Sequence, residues 1–210
     1  YEDWKSLSQD EKIVRDSIMA THAAMVDCVD QNIGRLLEKL EKLKKLDNTL
    51  ILFMSDNGAQ AQASPESWLW AKGKTSDFSQ PIGSMGRYTS LSLSWANVSD
   101  TPFRLYKSNS HEGGISTPLI MYWKGEIVNP GNINSFPSHL IDIMPTVLEA
   151  TGANYLENFK DEKINPIDGV SLLSATKGFE PKRDEPLFWQ WQKGKAIREG
   201  KWKLVSDNNG

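Results

Sequence analysis

The segment Ser55-Asp56-Asn57-Gly58 sets a carboxylate beside an amide carbonyl. These are hard oxygen donors of the kind that hold Ca²⁺ or Mg²⁺, and Gly58 lets the backbone turn away directly after them. Asp-Asn-Gly is equally a common turn sequence that needs no metal. Two donors also fill only part of a shell of about six to eight. On spacing alone this is half a site. A second candidate runs from Thr101 through Lys107 and His111 to Glu112-Gly113-Gly114-Ile115. An ammonium and an imidazole just ahead of a Gly-Gly pair could bind an oxyanion or protonate a leaving oxygen. The plainer reading makes Lys107 a surface lysine and Glu-Gly-Gly a turn.

The remaining reactive side chains have plainer roles. His22 lies on an apolar stripe with Met19 and Val26 and reads as a half-buried structural histidine. His139 stands at the start of a helix, where capping is the expected role. Cys28 sits mid-helix with no general base placed by the local sequence, so it reads as a small helix residue and not a nucleophile. Trp189, Trp191 and Trp202 are expected to pack a terminal sheet. Trp68, Trp70 and Trp95 fall in a long loop after Asp56, where they either pack the core or stack on a sugar or aromatic substrate.

The elements that must position these residues follow from periodicity. From Gln9 the pattern predicts a long helix, with Val26, Val29, Ile33, Leu36, Leu40 and Leu43 as its clearest apolar stripe. Ser8 and acidic first-turn residues suit its start, and lysines suit its end. Residues 49–54 are a continuous apolar run, which predicts a strand buried on both faces as in a parallel sheet. Helix then buried strand is one step of an α/β fold, and ligands of such sheets bind at the carboxyl ends of strands. That is where Asp56 lies. Residues 58–102 read mostly as loop, long enough to be functional. A second strand is expected at 119–123, and a helix at 139–151 stopped by Gly152. Residues 153–186 are polar and turn-rich, with a subdomain change somewhere within them. The tail reads as β at 187–192, 196–198 and 202–205.

Composition excludes several classes. The 210 residues are 39% hydrophobic and 24% charged, so a packed core is expected and wholesale disorder is not. Lys and Arg total 24 against 27 Asp and Glu, a net charge of −3 with no basic stripe, which argues against a nucleic-acid partner. The longest apolar run, 50–54, is far short of the roughly 20 residues of a membrane span. A single cysteine excludes an internal disulfide framework and a multi-cysteine metal site.

Taken in order, several segments resemble the formylglycine-dependent sulfatases of the alkaline-phosphatase-like superfamily. They are 23–27 with 30–35, Ser55-Asp56-Asn57-Gly58, Trp95-Ala96-Asn97, Thr101-Pro102-Phe103-Arg104, 107–118, 139–146, 168–173 and 197–205. The resemblance runs along nearly the whole chain. It implies an α/β fold with a mixed sheet flanked by helices and part of a small antiparallel β C-terminal subdomain. Residues 1–155 would be the C-terminal half of the catalytic domain, and 156–210 the start of the small subdomain. Asp56 and Asn57 would ligate a divalent cation, usually Ca²⁺ with Mg²⁺ as the alternative. Lys107 would bind a sulfate oxygen and assist the leaving group. His111 would contact substrate, and Glu112, Gly113 and Gly114 would shape the loop.

The chain also departs from the family pattern. It contains no Cys/Ser-x-Pro-x-Arg motif, the source of the formylglycine nucleophile, and Cys28 is followed by Val29-Asp30. The two upstream metal-binding aspartates and a partner histidine are absent too. The expectation is therefore the C-terminal part of a larger sulfatase acting on aryl or carbohydrate sulfates, inactive without the missing N-terminal part. By resemblance such proteins are periplasmic, extracellular or lysosomal. Two alternatives stay open: a phosphoester or phosphonate hydrolase of the same superfamily, and a non-catalytic relative that binds sulfated glycans through its loop tryptophans.

Overall fold

Helix α1 (Gln9–Lys42) begins at a reciprocal cap in the computed structural model, which describes residues 3–61 and 77–207. The Ser8 hydroxyl accepts from the Glu11 backbone N–H at 3.3 Å, and the Glu11 carboxylate accepts from the Ser8 N–H at 2.8 Å. Two orphan donors of the first turn are thereby satisfied. Lys44 takes a left-handed φ of 54° and ends the run. The expected helix is present, but its apolar stripe is only partly covered. Val26, Val29, Leu36 and Leu43 are 55%, 49%, 59% and 55% exposed. Ile33 and Leu40 are half-buried; periodicity sets the helix, but burying the whole stripe needs a further element. No described helix is long and apolar enough to cross a membrane.

Strand β1 (Ile51–Met54) pairs antiparallel with β2 (Leu119–Tyr122), with Ile51 opposite Tyr122 and Met54 opposite Leu119. This corrects the expected parallel, doubly buried strand: Phe53 is 48% exposed, and among the described residues β1 has no other neighbour. An apolar run of this length fits either arrangement, because periodicity carries no strand direction. Between the two strands lie α2 (Ser92–Ser99) and the short α3 (Glu112–Ile115). Trp95 is thus on a helix and not in a loop. Its indole N–H donates to the Arg15 carbonyl at 3.0 Å and its ring lies 6.0 Å from Trp4, so it docks α2 on the start of α1. Trp68 and Trp70 lie outside the described residues.

A 3₁₀ turn (Leu140–Asp142) leads into α4 (Ile143–Thr151), which ends at Gly152 with φ 67° as its sequence predicts. Asp142 and Thr146 are completely buried and satisfied. Asp142 accepts from the His139 N–H at 2.7 Å, the Val170 N–H at 3.0 Å and Arg183 at 2.5 Å. The Thr146 hydroxyl donates to the Asp142 carbonyl at 2.6 Å and accepts from the Leu172 N–H at 2.9 Å. Gly169 makes the approach possible, since a Cβ there would lie 2.1 Å from the Ile141 carbonyl oxygen. These bonds clamp α4 to the segment that leads into α5 (Leu173–Thr176).

A two-stranded ribbon, β3 (Asn158–Phe159) and β4 (Glu162–Lys163), precedes the C-terminal meander of β5 (Leu187–Trp191), β6 (Gly194–Glu199) and β7 (Trp202–Ser206). Its two-residue turns have left-handed backbone at Gln192 (φ 52°) and Gly200 (φ 54°), as tight hairpins require. Leu187, Trp189 and Trp191 share one face with Ala196 and Arg198 through the pairs Leu187–Arg198 and Trp189–Ala196.

The buried clamp has a measurable worth. Thr146→Val keeps the shape but leaves the Leu172 N–H unpaired in the interior, so urea unfolding should show a loss of about 1–3 kcal/mol. A variant as stable as the parent would show that the clamp contributes nothing.

Candidate active site

The carboxyl end of β1 is stitched to residues 100–117 by four bonds. The Gly58 N–H donates to the Gly114 carbonyl at 3.0 Å, and the Lys107 N–H donates to the Ala59 carbonyl at 3.1 Å. The Thr117 hydroxyl donates to the Ser55 carbonyl at 2.8 Å. The Ala59 N–H is shared by both oxygens of Asp100, at 3.0 and 3.1 Å. Burial pushes the Asp100 carboxyl above its ordinary range, and the Ala59 N–H opposes that rise. The approach is so close that a Cβ on Gly58 would lie 1.7 Å from the Gly113 carbonyl oxygen. Gly113 and Gly114 are as crowded, with carbonyls of Leu105 and Asn109 each 2.0 Å from a Cβ position.

This stitching brings Asp56, Asn57 and Lys107 into the lining of one open cleft of about 740 Å³. That volume suits a small-molecule ligand. Neither the Asp56 carboxylate nor the Lys107 ammonium has an ion-pair or hydrogen-bond partner among the described residues. Both charges are available to a ligand. Residues 134–140 and the C-terminal sheet, including His139, Trp189, Trp191 and Arg198, line the same cleft.

His111 is not among the lining residues. Its side chain is 13% exposed, and Nε2 lies 3.3 Å from Asp207 Oδ1. Glu112 does line the cleft and pairs with Lys203 of β7, whose ammonium also lies 5.4 Å from the Trp189 ring centre. This pair ties the meander to the Lys107 loop. His22 is half-buried on α1 and Cys28 is exposed.

Sequence reasoning missed the cleft face of His139. It caps its 3₁₀ turn as expected, with Nδ1 accepting from the Ile141 N–H at 3.2 Å. It also packs edge-on to Trp189 at 5.2 Å and lines the cleft. Burial lowers its pKa below the ordinary imidazole value; Asp142 opposes this and Arg183 adds to it. Trp189 and Trp191 likewise do more than pack a sheet. Their period-2 spacing puts both on one face, a signal visible in the sequence, but which face meets the cleft depends on the fold.

Asp56 and Asn57 pass a limited test as cation ligands. Among the described residues the carboxylate has no partner, and the Asn57 amide N–H₂ donates to the Gly58 carbonyl at 2.9 Å, leaving its carbonyl oxygen for another partner. Both are oxygen donors of the right hardness. They make only part of a shell: no group of three or more His, Cys, Asp or Glu suited to a metal occurs among the described residues.

Helices with small antiparallel sheets make this an α/β protein, and Asp56, Asn57 and Lys107 line one cleft in it. The sulfatase family model matches residues 2–153, and the chain belongs to that family. An arylsulfatase of Klebsiella aerogenes is 31% identical over 83% of this chain and 38% of that protein. An uncharacterized sulfatase of Schizosaccharomyces pombe is 30% identical over 96% of the chain and 38% of its own length. A choline-sulfatase of Rhizobium meliloti is 28% identical over 97% of the chain and 31% of that protein. The chain therefore spans less than two fifths of these relatives. Family membership implies the alkaline-phosphatase-like α/β fold, with which the observed elements agree.

Two outcomes follow from this geometry. Gly58→Ala forces a methyl into the Gly113 carbonyl and should destabilise the chain by about 1–3 kcal/mol or more in chemical denaturation; parent-like stability would contradict the close approach. His139 holds its neutral form in the fold while the unfolded chain takes up a proton near pH 6.5. Its contribution is thus complete above about pH 6.5 and is lost as pH falls from there through the depressed native value. Histidine NMR titration should give His139 a midpoint below 6.5, and His139→Gln should flatten that part of the stability profile. A midpoint at or above 6.5 would refute the sign.

Proposed function

We propose that the protein hydrolyses sulfate esters, with Asp56 and Asn57 contributing to a divalent-cation site and Lys107 binding a sulfate oxygen and assisting the departing one. One observation carries this reading: in a chain of the sulfatase family these three residues line a single cleft, with both charges unpartnered among the described residues. The sulfuryl oxygens are anionic and the leaving oxygen gains charge as its bond to sulfur breaks. A fixed cation and an ammonium oppose both, because they are oriented before reaction. Ca²⁺ is the proposed ion, with Mg²⁺ as the alternative; when bound it would polarise a sulfuryl oxygen.

The nucleophile is proposed to be a formylglycine in the part of the protein that this chain does not span, together with the remaining metal ligands. The names of the relatives, an arylsulfatase and a choline-sulfatase, support sulfate over phosphate esters. We assign residues 1–155 to the catalytic domain, on a mixed sheet completed outside the described residues, and 156–210 to the start of a small C-terminal subdomain. The match of the family model to 2–153 supports that division. The Asp207 contact supports a structural role for His111 over the substrate contact that the resemblance implies.

The test compares an aryl sulfate with the matching aryl phosphate, using the full-length gene product and the 210-residue chain. The full-length protein should turn over the sulfate, with losses of roughly 10²–10³-fold in Lys107→Ala and Asp56→Ala. Asp56→Ala should also weaken Ca²⁺ binding in calorimetry. The 210-residue chain alone should give no multiple turnover. Preference for the phosphate ester, or variants as active as the parent, would sink the proposal.

A further inference from the structure

His139 lines the cleft, and the proposed chemistry gives it no part. The residue is held at three points. Its backbone N–H donates to the buried Asp142 carboxylate at 2.7 Å, and its Nδ1 accepts from the Ile141 N–H at 3.2 Å. Its ring packs edge-on to Trp189, with centroids 5.2 Å apart. Burial favours the neutral ring, with Asp142 opposing and Arg183 adding to that effect. With Nδ1 engaged as an acceptor, the hydrogen of the neutral imidazole is on Nε2.

That donor has no hydrogen-bond partner among the described residues. Nor is Nε2 one of their sealed and unsatisfied side-chain atoms, which are Arg87 Nε, Ser174 Oγ and Arg183 Nε. The N–H is therefore open, on a half-buried ring that lines the cleft. Its orientation is set before a ligand arrives, so a hydrogen bond to that ligand costs little further ordering. We infer that His139 is a ligand-contacting residue of the cleft, donating its Nε2 hydrogen to an acceptor oxygen of the bound sulfate ester. One nitrogen caps the turn and the other serves the ligand. The inference takes its ligand class from the sulfatase reading, but the hydrogen bond it describes needs no turnover.

The two roles separate by substitution in the full-length gene product. His139→Asn keeps an acceptor at the Nδ1 position and loses the outer donor; His139→Gln places an amide N–H₂ at the Nε2 position and loses the inner acceptor. Calorimetry with benzenesulfonate and 4-hydroxybenzenesulfonate, which have no ester to cleave, reads binding, and phenyl sulfate reads turnover. His139→Asn should weaken binding by about tenfold, while His139→Gln stays within about threefold of the parent. In thermal unfolding His139→Asn should be the more stable of the two, the reverse of their order in binding. A residue that only caps would make binding follow stability and would overturn the inference. Nitrogen-15 NMR of the parent should show the Nε2–H tautomer, with the Nε2 resonance moving when benzenesulfonate is added. An equal loss for both sulfonates in His139→Asn puts the acceptor on the sulfur oxyanion, and a loss confined to the hydroxylated one puts it on the ring; either upholds the donor. Binding lost in His139→Asn and kept in His139→Gln, without hydrolysis of phenyl sulfate, would uphold the donor and overturn the sulfatase reading. Hydrolysis of phenyl sulfate with parent-like binding in His139→Asn, or with an Nδ1–H tautomer, would overturn the donor and leave that reading standing. No binding of either sulfonate and no turnover would overturn both.

Discussion

The backbone contact of Gly58 with Gly113 and Gly114 is the constraint on which the cleft depends. At these positions a side chain would occupy space already filled by carbonyl oxygens, 1.7 to 2.0 Å away. With no Cβ in the way, β1 and the Lys107 loop hydrogen-bond to each other directly, and Asp100 closes the joint from beneath. Each such bond contributes only about 0.5–1.5 kcal/mol net. Their value is geometric. They hold Asp56 and Lys107 in one cavity without letting them pair, so neither charge is spent on the other. Had the two been joined in a salt bridge, an incoming anion would first have to break it.

A second set of contacts fixes another part of the lining. Asp142 and Thr146 lock α4 to the segment that leads into α5, and Asp142 also holds the His139 backbone and Arg183. His139 then meets Trp189 edge-on, and Lys203 crosses from β7 to Glu112. The meander is therefore tied to the Lys107 loop at one point and to the 3₁₀ turn at another. Lys107 and Arg198, from two different segments, both line the cleft.

Local patterns carried well into the structure. The cap at Ser8, the stop at Gly152 and the three-stranded tail all follow from short-range chemistry and appear as expected. Asp56 and Asn57 were also visible as residue types that could hold a divalent cation, and Lys107 as one that could bind an oxyanion. Two things were hidden for one reason. The direction of β1 and the partner of the α1 stripe depend on which distant segment arrives, and a short apolar run holds no information about that. Trp95 was misplaced because Gly, Ser and Pro around it resemble a loop, while its docking partner Arg15 lies 80 positions earlier, near the start of α1. His139 and Arg198 were legible as a cap and a strand residue, but their common cavity is a product of tertiary structure.

The separations along the chain add a last consequence. The bonds that build the cleft join residues far apart: 41 positions for Ala59 to Asp100, 62 for Ser55 to Thr117 and 91 for Glu112 to Lys203. Every hydrogen bond inside α1 spans a single turn. Closing long loops has an entropic cost that local contacts avoid, so the helix can form before there is any cavity for it to support. The connectivity thus separates two kinds of structure: α1 needs only contacts within a turn, and the cleft needs several long loops closed together.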